Sequence, residues 1–393
     1  MQKHRPNLGL FVGIAALLLI GTALMSSASV VLSQQVTGDP NFYFREHLIA
    51  LLIGVPVALF GYKLDYKYLR KAAPFLILAS LILLALVFVP GIGMTHGGAR
   101  RWLTWPITFA PTEIYKLSLV IYLAAWFEKR QGEVKSLMFS TVPFLIILGV
   151  TAGLIMLQPD TGTFVTVAGI SAAMYVVAGA AISHIIGLGA LGIAGFIFLL
   201  KTAPYRMQRF MIFMNPGSDA GGAGYQINQA LLAIGTGGLF GLGFGHSRQK
   251  FNYLPEASTD SIFAIAAEEL GFFLTAAIFL LYIFVAIQGY KVAQKAPDAF
   301  SRLVATGITS WIIIQALINI FAMMSLIPLT GVPLPFLSQG STSTLVLMLA
   351  SGILLNISKH TEGETRESRL RRRGDWWSYF TGSGRHQSPR TGK

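Results

Sequence analysis

The chain has no cysteine and very little charge. Of its 393 residues none is Cys, and only 12% are charged against 53% hydrophobic. The missing thiols exclude disulfides, thiol nucleophiles and thiolate metal sites. The missing charge excludes a soluble globular domain, where about 25% of residues are charged. Acids are scarcest, with 17 Asp and Glu against 30 Lys and Arg and a net charge of +13. Strand-period alternation over segments of about 10 residues is also missing, which argues against a membrane β-barrel. The histidines show no HExxH or similar metal-ligand spacing, and the glycines follow neither the Rossmann nor the Walker pattern. No clear inverted repeat of the transporter kind is present.

What remains is apolar sequence, with a mean hydropathy of +0.61. A spanning helix needs about 20 mostly apolar residues. Judged so, the chain reads as an all-α polytopic membrane bundle of about ten spans, near 8–32, 47–62, 73–89, 111–127, 140–157, 162–179, 181–200, 261–287, 303–325 and 340–358. Lys3, His4 and Arg5 before Leu8–Met25 resemble a signal peptide. The apolar region exceeds the 7–15 residues of a secretory signal, so an uncleaved first span is expected.

Short-loop cations set the orientation. With the N-terminus in the cytoplasm, that side receives Lys63, Lys67, Arg70, Lys71, Lys129, Arg130, Lys135, Lys291, Lys295 and Arg302. An even span number brings the basic C-terminus to the same side. The chain divides into a membrane domain, 1–358, and a polar basic tail, 359–393, expected to be disordered. Arg371–Arg373 with Trp376 and Trp377 could lie on anionic lipid; a plain positive-inside tail is the simpler reading. Nucleic acid is not an expected partner.

The outer side is nominally cation-poor, yet cations gather in two of its loops. One contains Arg100 and Arg101. The other is the large loop 201–260 between the seventh and eighth spans, with Lys201, Arg206, Arg209, Arg248 and Lys250, ending at Asp260. Arg206 and Arg209 would share one face of a short helix. Arginine grips phosphate bidentately and lysine acts as a point charge. Headgroup snorkelling explains one or two such residues and less well five. Ser258, Thr259 and Asp260 precede an apolar run, so Asp260 could be a helix cap, a general base, or both. As a base it needs a raised pKa, which desolvation at the membrane edge supplies.

Ionisable groups inside spans mark functional sites by default. Lys116 is read as facing a shared cavity and pairing with Asp260; the alternative is neutralisation by Glu113, three residues away. Glu268 and Glu269, adjacent on a helix, are not expected to face one partner. Gln158, Pro159 and Asp160 form a tight turn, ordinary turn chemistry, although Asp160 could add a second carboxylate or a metal ligand. The glycine-rich stretch Ile227–Phe244 is too broken to span and reads as interfacial or re-entrant.

Glycosidases generally use two carboxyl groups. A sugar C1-diphosphate leaves as a stabilised anion when cations hold it. One base and a cationic cradle therefore suit glycosyl transfer from a lipid diphosphate. The same set would also bind such a lipid without reacting. No certain cofactor is indicated; a divalent cation, Mg or Mn, would be compatible with the diphosphate.

The stretches MSSAS (25–29), PGIGMTHGGARRWL (90–103), APTEIYKLSLVIYLA (110–124), LQPDTGT (157–163), YRMQRF (205–210), LPEASTD (254–260) and IPLTGVPLPFLSQGS (327–341) occur in an order that resembles the SEDS family of FtsW, RodA and SpoVE. The PGIG and GARRW patterns and the basic tail lean toward its FtsW branch. The resemblance implies a peptidoglycan glycosyltransferase that polymerises lipid II at the outer face of the cytoplasmic membrane. It implies a class B penicillin-binding protein as partner, among other division or elongation membrane proteins. It assigns the catalytic aspartate to Asp260, the membrane lysine to Lys116 and the paired arginines to Arg206 and Arg209. Departures are SQGSTS (338–343) for SYGGSS, PTE (111–113) for QPSE, and Ser258 for the usual histidine. A lipid II flippase and a non-catalytic division scaffold are the alternatives.

Overall fold

The structure is a computed structural model that describes residues 6–96, 99–104, 108–202, 204–215 and 222–360. The tail from 361 onward, with its Arg and Trp cluster, lies outside the described residues, as do Gly97, Gly98, Gly217 and Gly221.

The architecture is helical, with one small hairpin. In order come α1 (Leu8–Ala28), α2 (Val30–Thr37), α3 (Phe42–Lys63), α4 (Tyr66–Leu86), the strands β1 (Gly93–His96) and β2 (Ala99–Leu103), α5 (Pro111–Lys129), α6 (Val142–Leu157), α7 (Thr161–Val177), α8 (Ile182–Thr202), α9 (Pro204–Met214), α10 (Ala223–Gly237), α11 (Ile262–Gln294), α12 (Ala299–Met323) and α13 (Ser341–Lys359). Among the described residues, seven helices are long and apolar enough to cross a membrane: α1, α3, α4, α8, α11, α12 and α13. The apolar helices α6 and α7 are shorter. In α5 the residues Glu113, Lys116, Glu128 and Lys129 interrupt the apolar run. A helix thus stands at each of the ten expected stretches.

The centre of the bundle is α12, which packs against α5, α7 and α11. It buries Gln315 and Asn319 along with its apolar side chains. At the edge α3 and α13 approach closely. A Cβ at Gly352 would lie 2.1 Å from the carbonyl oxygen of Ala58, so only glycine permits that contact. The start of α1 meets the end of α13, where the Asn7 amide donates to Ser358 Oγ at 3.0 Å. In contrast, α8 is exposed along its length and rests on α9.

The long helix α11 is broken at Gly271, which sits at φ 74° in the left-handed region that glycine adopts readily. A break strands the carbonyls before it and the amides after it. The glycine-rich turn after α10 repairs both ends. Leu242 N and Gly243 N donate to the carbonyls of Glu268 and Glu269, and Phe272 N and Phe273 N donate to those of Gly238 and Leu239. Irregular backbone is thereby satisfied inside the protein, as a lipid environment demands. The interfacial or re-entrant stretch expected from Ile227 to Phe244 is a 15-residue helix, α10, followed by this turn.

Just before the break, Glu268 and Glu269 share one partner segment, contrary to the reading that adjacent helix residues face different ones. Arg248 N and Ser247 Oγ donate to Glu268, while Ser247 N and Lys250 Nζ donate to Glu269. The segment 247–250 crosses over both carboxylates instead of approaching along one helix face.

Candidate functional site

Four segments converge on a groove of about 350 Å³. They are β2, the start of α5, the loop 253–261 and the loop 329–343, joined at the rim by the start of α7, by α9 and by α10. Of the expected residues, Arg101, Asp160, Arg209 and Asp260 line it; Glu113, Gln226 and Glu256 line it as well.

Asp260 is the most informative of them. It is 8% exposed, and its Oδ1 has no hydrogen-bond partner among the described residues. The cap of α11 is Ser261, and it makes no side-chain cap bond. Asp260 therefore does not spend its carboxylate on the helix end. Burial pushes its carboxyl up to about 7, and the negative charge of Glu256 adds to the shift; Arg209 and Gln226 act in the opposite sense.

The loop that presents Asp260 is tightly braced. Gln339 N donates to the Ser258 carbonyl at 2.8 Å, and Ser258 Oγ donates to Gln339 Oε1 at 2.8 Å. Gln226 Nε2 donates to Ser261 Oγ at 3.1 Å, which in turn donates to the carbonyl of Pro255. Thr259 Oγ1 donates to Glu256 Oε2 at 2.6 Å. The last bond holds a second carboxylate beside Asp260. Glu256 belongs to the same LPEASTD stretch, and only the folded loop turns it into the groove.

The other carboxylates of the groove are already matched. Asp160 caps α7 through Thr163 N at 3.0 Å and lies 3.6 Å from Arg101 Nε. Glu113 accepts from Lys116 Nζ at 2.8 Å and from Ser343 Oγ at 3.2 Å. Lys116 also donates to Gln315 Oε1 at 2.8 Å and lies over the Trp311 ring. The expected Lys116–Asp260 pair is thus corrected. Lys116 is 2% exposed, and a charge buried so deeply requires an adjacent counter-ion, which its own helix supplies. Gln226 lies in a stretch, YQINQALL, that shares in the family resemblance but was given no role, and Asn319 carried no motif. An amide within an otherwise apolar span was the only available signal for Asn319.

The expected cations separate by location. Arg101 and Arg209 reach the groove, and Arg209 Nη1 donates to the Leu329 carbonyl at 3.1 Å. Arg206 shares helix α9 with Arg209 and donates to the Met156 carbonyl at 3.4 Å. Arg100 is exposed on β2 beside Arg101, and Arg248 is exposed beyond α10. Lys250 is not among the residues that line this groove. It is buried, and its ammonium donates to Ser27 Oγ, the Gly245 carbonyl and Glu269 Oε1 at 2.8, 2.7 and 3.1 Å. An ammonium has three donors, so all are occupied. Gln158 is likewise buried, is not among the groove's lining residues, and donates to the Leu84 carbonyl. Among the described residues no group of three His, Asp or Glu is placed to hold a metal ion.

Comparison with known proteins gives one answer. A family model described as a cell cycle protein, FTSW_RODA_SPOVE, matches residues 8–363. The stage V sporulation protein E of Bacillus subtilis (strain 168) is 41% identical, over 92% of this chain and 99% of its own length. A probable peptidoglycan glycosyltransferase FtsW of Geobacter sp. (strain M18) is 38% identical, over 87% and 94%. Among solved structures, a chain from a peptidoglycan synthase complex that coordinates polymerization and crosslinking superposes with a TM-score of 0.75 at 26% identity, over 90% of this chain and 97% of that one. The rod shape determining protein RodA of Thermus thermophilus gives 0.67 at 25% identity, over 91% and 98%. With its seven long apolar helices, this multi-pass membrane protein belongs to the FtsW, RodA and SpoVE family.

Proposed function

We propose that this chain is an inverting peptidoglycan glycosyltransferase that polymerises lipid II into glycan strands at the outer face of the bacterial cytoplasmic membrane. The observation that carries this reading is Asp260: buried, unencumbered at Oδ1, raised to about 7, and sharing a groove with two arginines. Near neutral pH such a carboxylate is partly ionised and still a strong enough base to take a proton from a hydroxyl. It accepts the proton of the acceptor GlcNAc 4-hydroxyl. The oxygen forms a bond to the donor C1, the C1–O bond to the diphosphate breaks, and undecaprenyl diphosphate leaves with the electron pair. Arg209 and Arg101, with Arg206 behind them, stabilise the departing negative charge. Attack opposite the leaving group inverts the anomeric centre.

The membrane arrangement that suits this chemistry has ten spans, both termini in the cytoplasm and the 201–260 loop outside. The meeting of Asn7 with Ser358 supports termini on one side, and the short-loop cations support that side being the cytoplasm. A class B penicillin-binding protein is the partner, acting in division or elongation. Support comes from the likeness to a chain of a peptidoglycan synthase complex. A flippase would need a polar path through the spans. Lys116 is instead closed in by Glu113, Gln315 and Trp311.

The test is purified full-length protein with labelled lipid II, a class B penicillin-binding protein being added with its own active site blocked. Wild type makes glycan, and Asp260→Asn makes none while still binding the lipid. Normal polymer from Asp260→Asn would remove Asp260 as the base. Lipid translocation in liposomes without polymer would favour the flippase.

A further inference from the structure

The position of Asp260 is set through its backbone. Asn319, on α12, is 1% exposed. Its Nδ2 donates to the carbonyl of Asp260 at 2.6 Å and to the carbonyl of Val332 at 2.8 Å. A side-chain amide has two N–H donors, and both are engaged. Both partners are carbonyls, so a reversed amide would oppose oxygen to oxygen; the orientation is fixed by the network itself. Oδ1 is then buried with no partner among the described residues. An apolar side chain of similar size would remove that unmet acceptor but leave the Asp260 and Val332 carbonyls without a donor, so the amide contributes to stability as well, and a rate readout is what separates the two roles.

One turn earlier on α12, Gln315 makes a parallel bond, Nε2 to the Pro333 carbonyl at 2.9 Å. The helix therefore grips the 329–333 wall of the groove twice, and through Asn319 it grips Asp260 as well. The Gln339 bonds to Ser258 join the same two loops, but the Asn319 amide is the one that holds the carbonyl of Asp260 itself.

We propose that Asn319 is a positioning residue: by tying the carbonyls of Asp260 and Val332 to one rigid helix, it sets the separation between the Asp260 carboxylate and the 329–333 wall, and so the reach of that carboxylate to the attacking hydroxyl. The inference rests on Asp260 being the base. A displacement of about 1 Å in such a group costs roughly 100-fold in rate.

The experiment compares two buried amides in the full-length protein with labelled lipid II. Asn356, on α13, also donates through Nδ2 to a carbonyl, that of Tyr62 on α3, and does not line the groove. Asn319→Leu is expected to lower kcat about 100-fold with KM held within about threefold. Asn356→Leu is expected to lower thermal stability to a similar extent with kcat within about threefold of wild type. If Asn319→Leu does not fold, Asn319→Asp decides in the same way: its shape is unchanged, but it sets an acceptor against both carbonyls. Wild-type kcat in the folded Asn319 variant would overturn the proposal. So would an equal loss of kcat in both leucine variants, since that pattern marks a structural role. Wild-type protein that makes no glycan is a different failure, one that removes the glycosyltransferase reading and the inference with it.

Discussion

Asp260 makes opposite demands on activity and stability. Its carboxyl is raised from 3.8 to about 7, so between these values the folded state binds a proton that the unfolded chain does not. Stability from this group is full below about pH 4 and is lost as pH rises through about 7. At pH 8 the loss amounts to as much as about 4 kcal/mol. Asp260→Asn does not titrate. Thermal unfolding in detergent should therefore show this inactive variant melting above wild type at pH 8, with the gap closing toward pH 4. Activity runs the other way: wild-type kcat/KM should fall about tenfold per unit below about pH 7. An acid limb near 4 in the pH–rate profile would contradict the burial argument. At this scale much was legible. Asp260, Arg101, Arg209 and Asp160 were all read from residue type and position, and all stand around one groove. Both candidate partners of Lys116 were legible, Glu113 by its i,i+3 spacing and Asp260 by its depth, but the choice between them was not, because sequence does not give the direction in which a side chain faces across the bundle.

Among the elements, α11 and the turn after α10 form one unit. Gly271 is where they meet: a Cβ there would lie 2.2 Å from Gly241 N. Gly271→Ala should cost about 3 kcal/mol from left-handed strain and overpacking together. The fall should be measurable as a lower melting temperature in detergent. Activity should fall too, since α11 begins two residues after Asp260. A variant with wild-type melting would show that the break is not needed. The long helices were legible from apolar run length, and the spacing of Arg206 and Arg209 fits the short helix α9; α10 was not legible, because its glycines made Ile227–Phe244 read as one broken stretch. Nor was the repair of the broken helix. Its bonds join residues about 30 apart through backbone groups that carry no sequence signature.

For the whole molecule, orientation decides whether the groove meets the outer surface. With no cysteine in the chain, a single introduced thiol reports its own position. Tyr253 is 57% exposed in the Asp260 loop, and Gln131 is exposed beyond α5. An impermeant maleimide should label Tyr253→Cys in intact spheroplasts and Gln131→Cys only after permeabilisation. The reverse pattern would place the groove in the cytoplasm and end the proposal for glycan synthesis outside.

The sequence by itself determined that this chain lives in a bilayer, where helices must run, and which side chains are too costly to bury without purpose. Those are properties of single residues and short runs, set by transfer from water. Only the tertiary structure decided which charges cancel one another and which stay available. Lys250 and Lys116 neutralise internal glutamates, while Asp260 is left with an oxygen unmatched among the described residues, beside Glu256. That outcome depends on distances between segments far apart in the chain, and electrostatic and hydrogen-bond energies change most steeply over just those few ångströms.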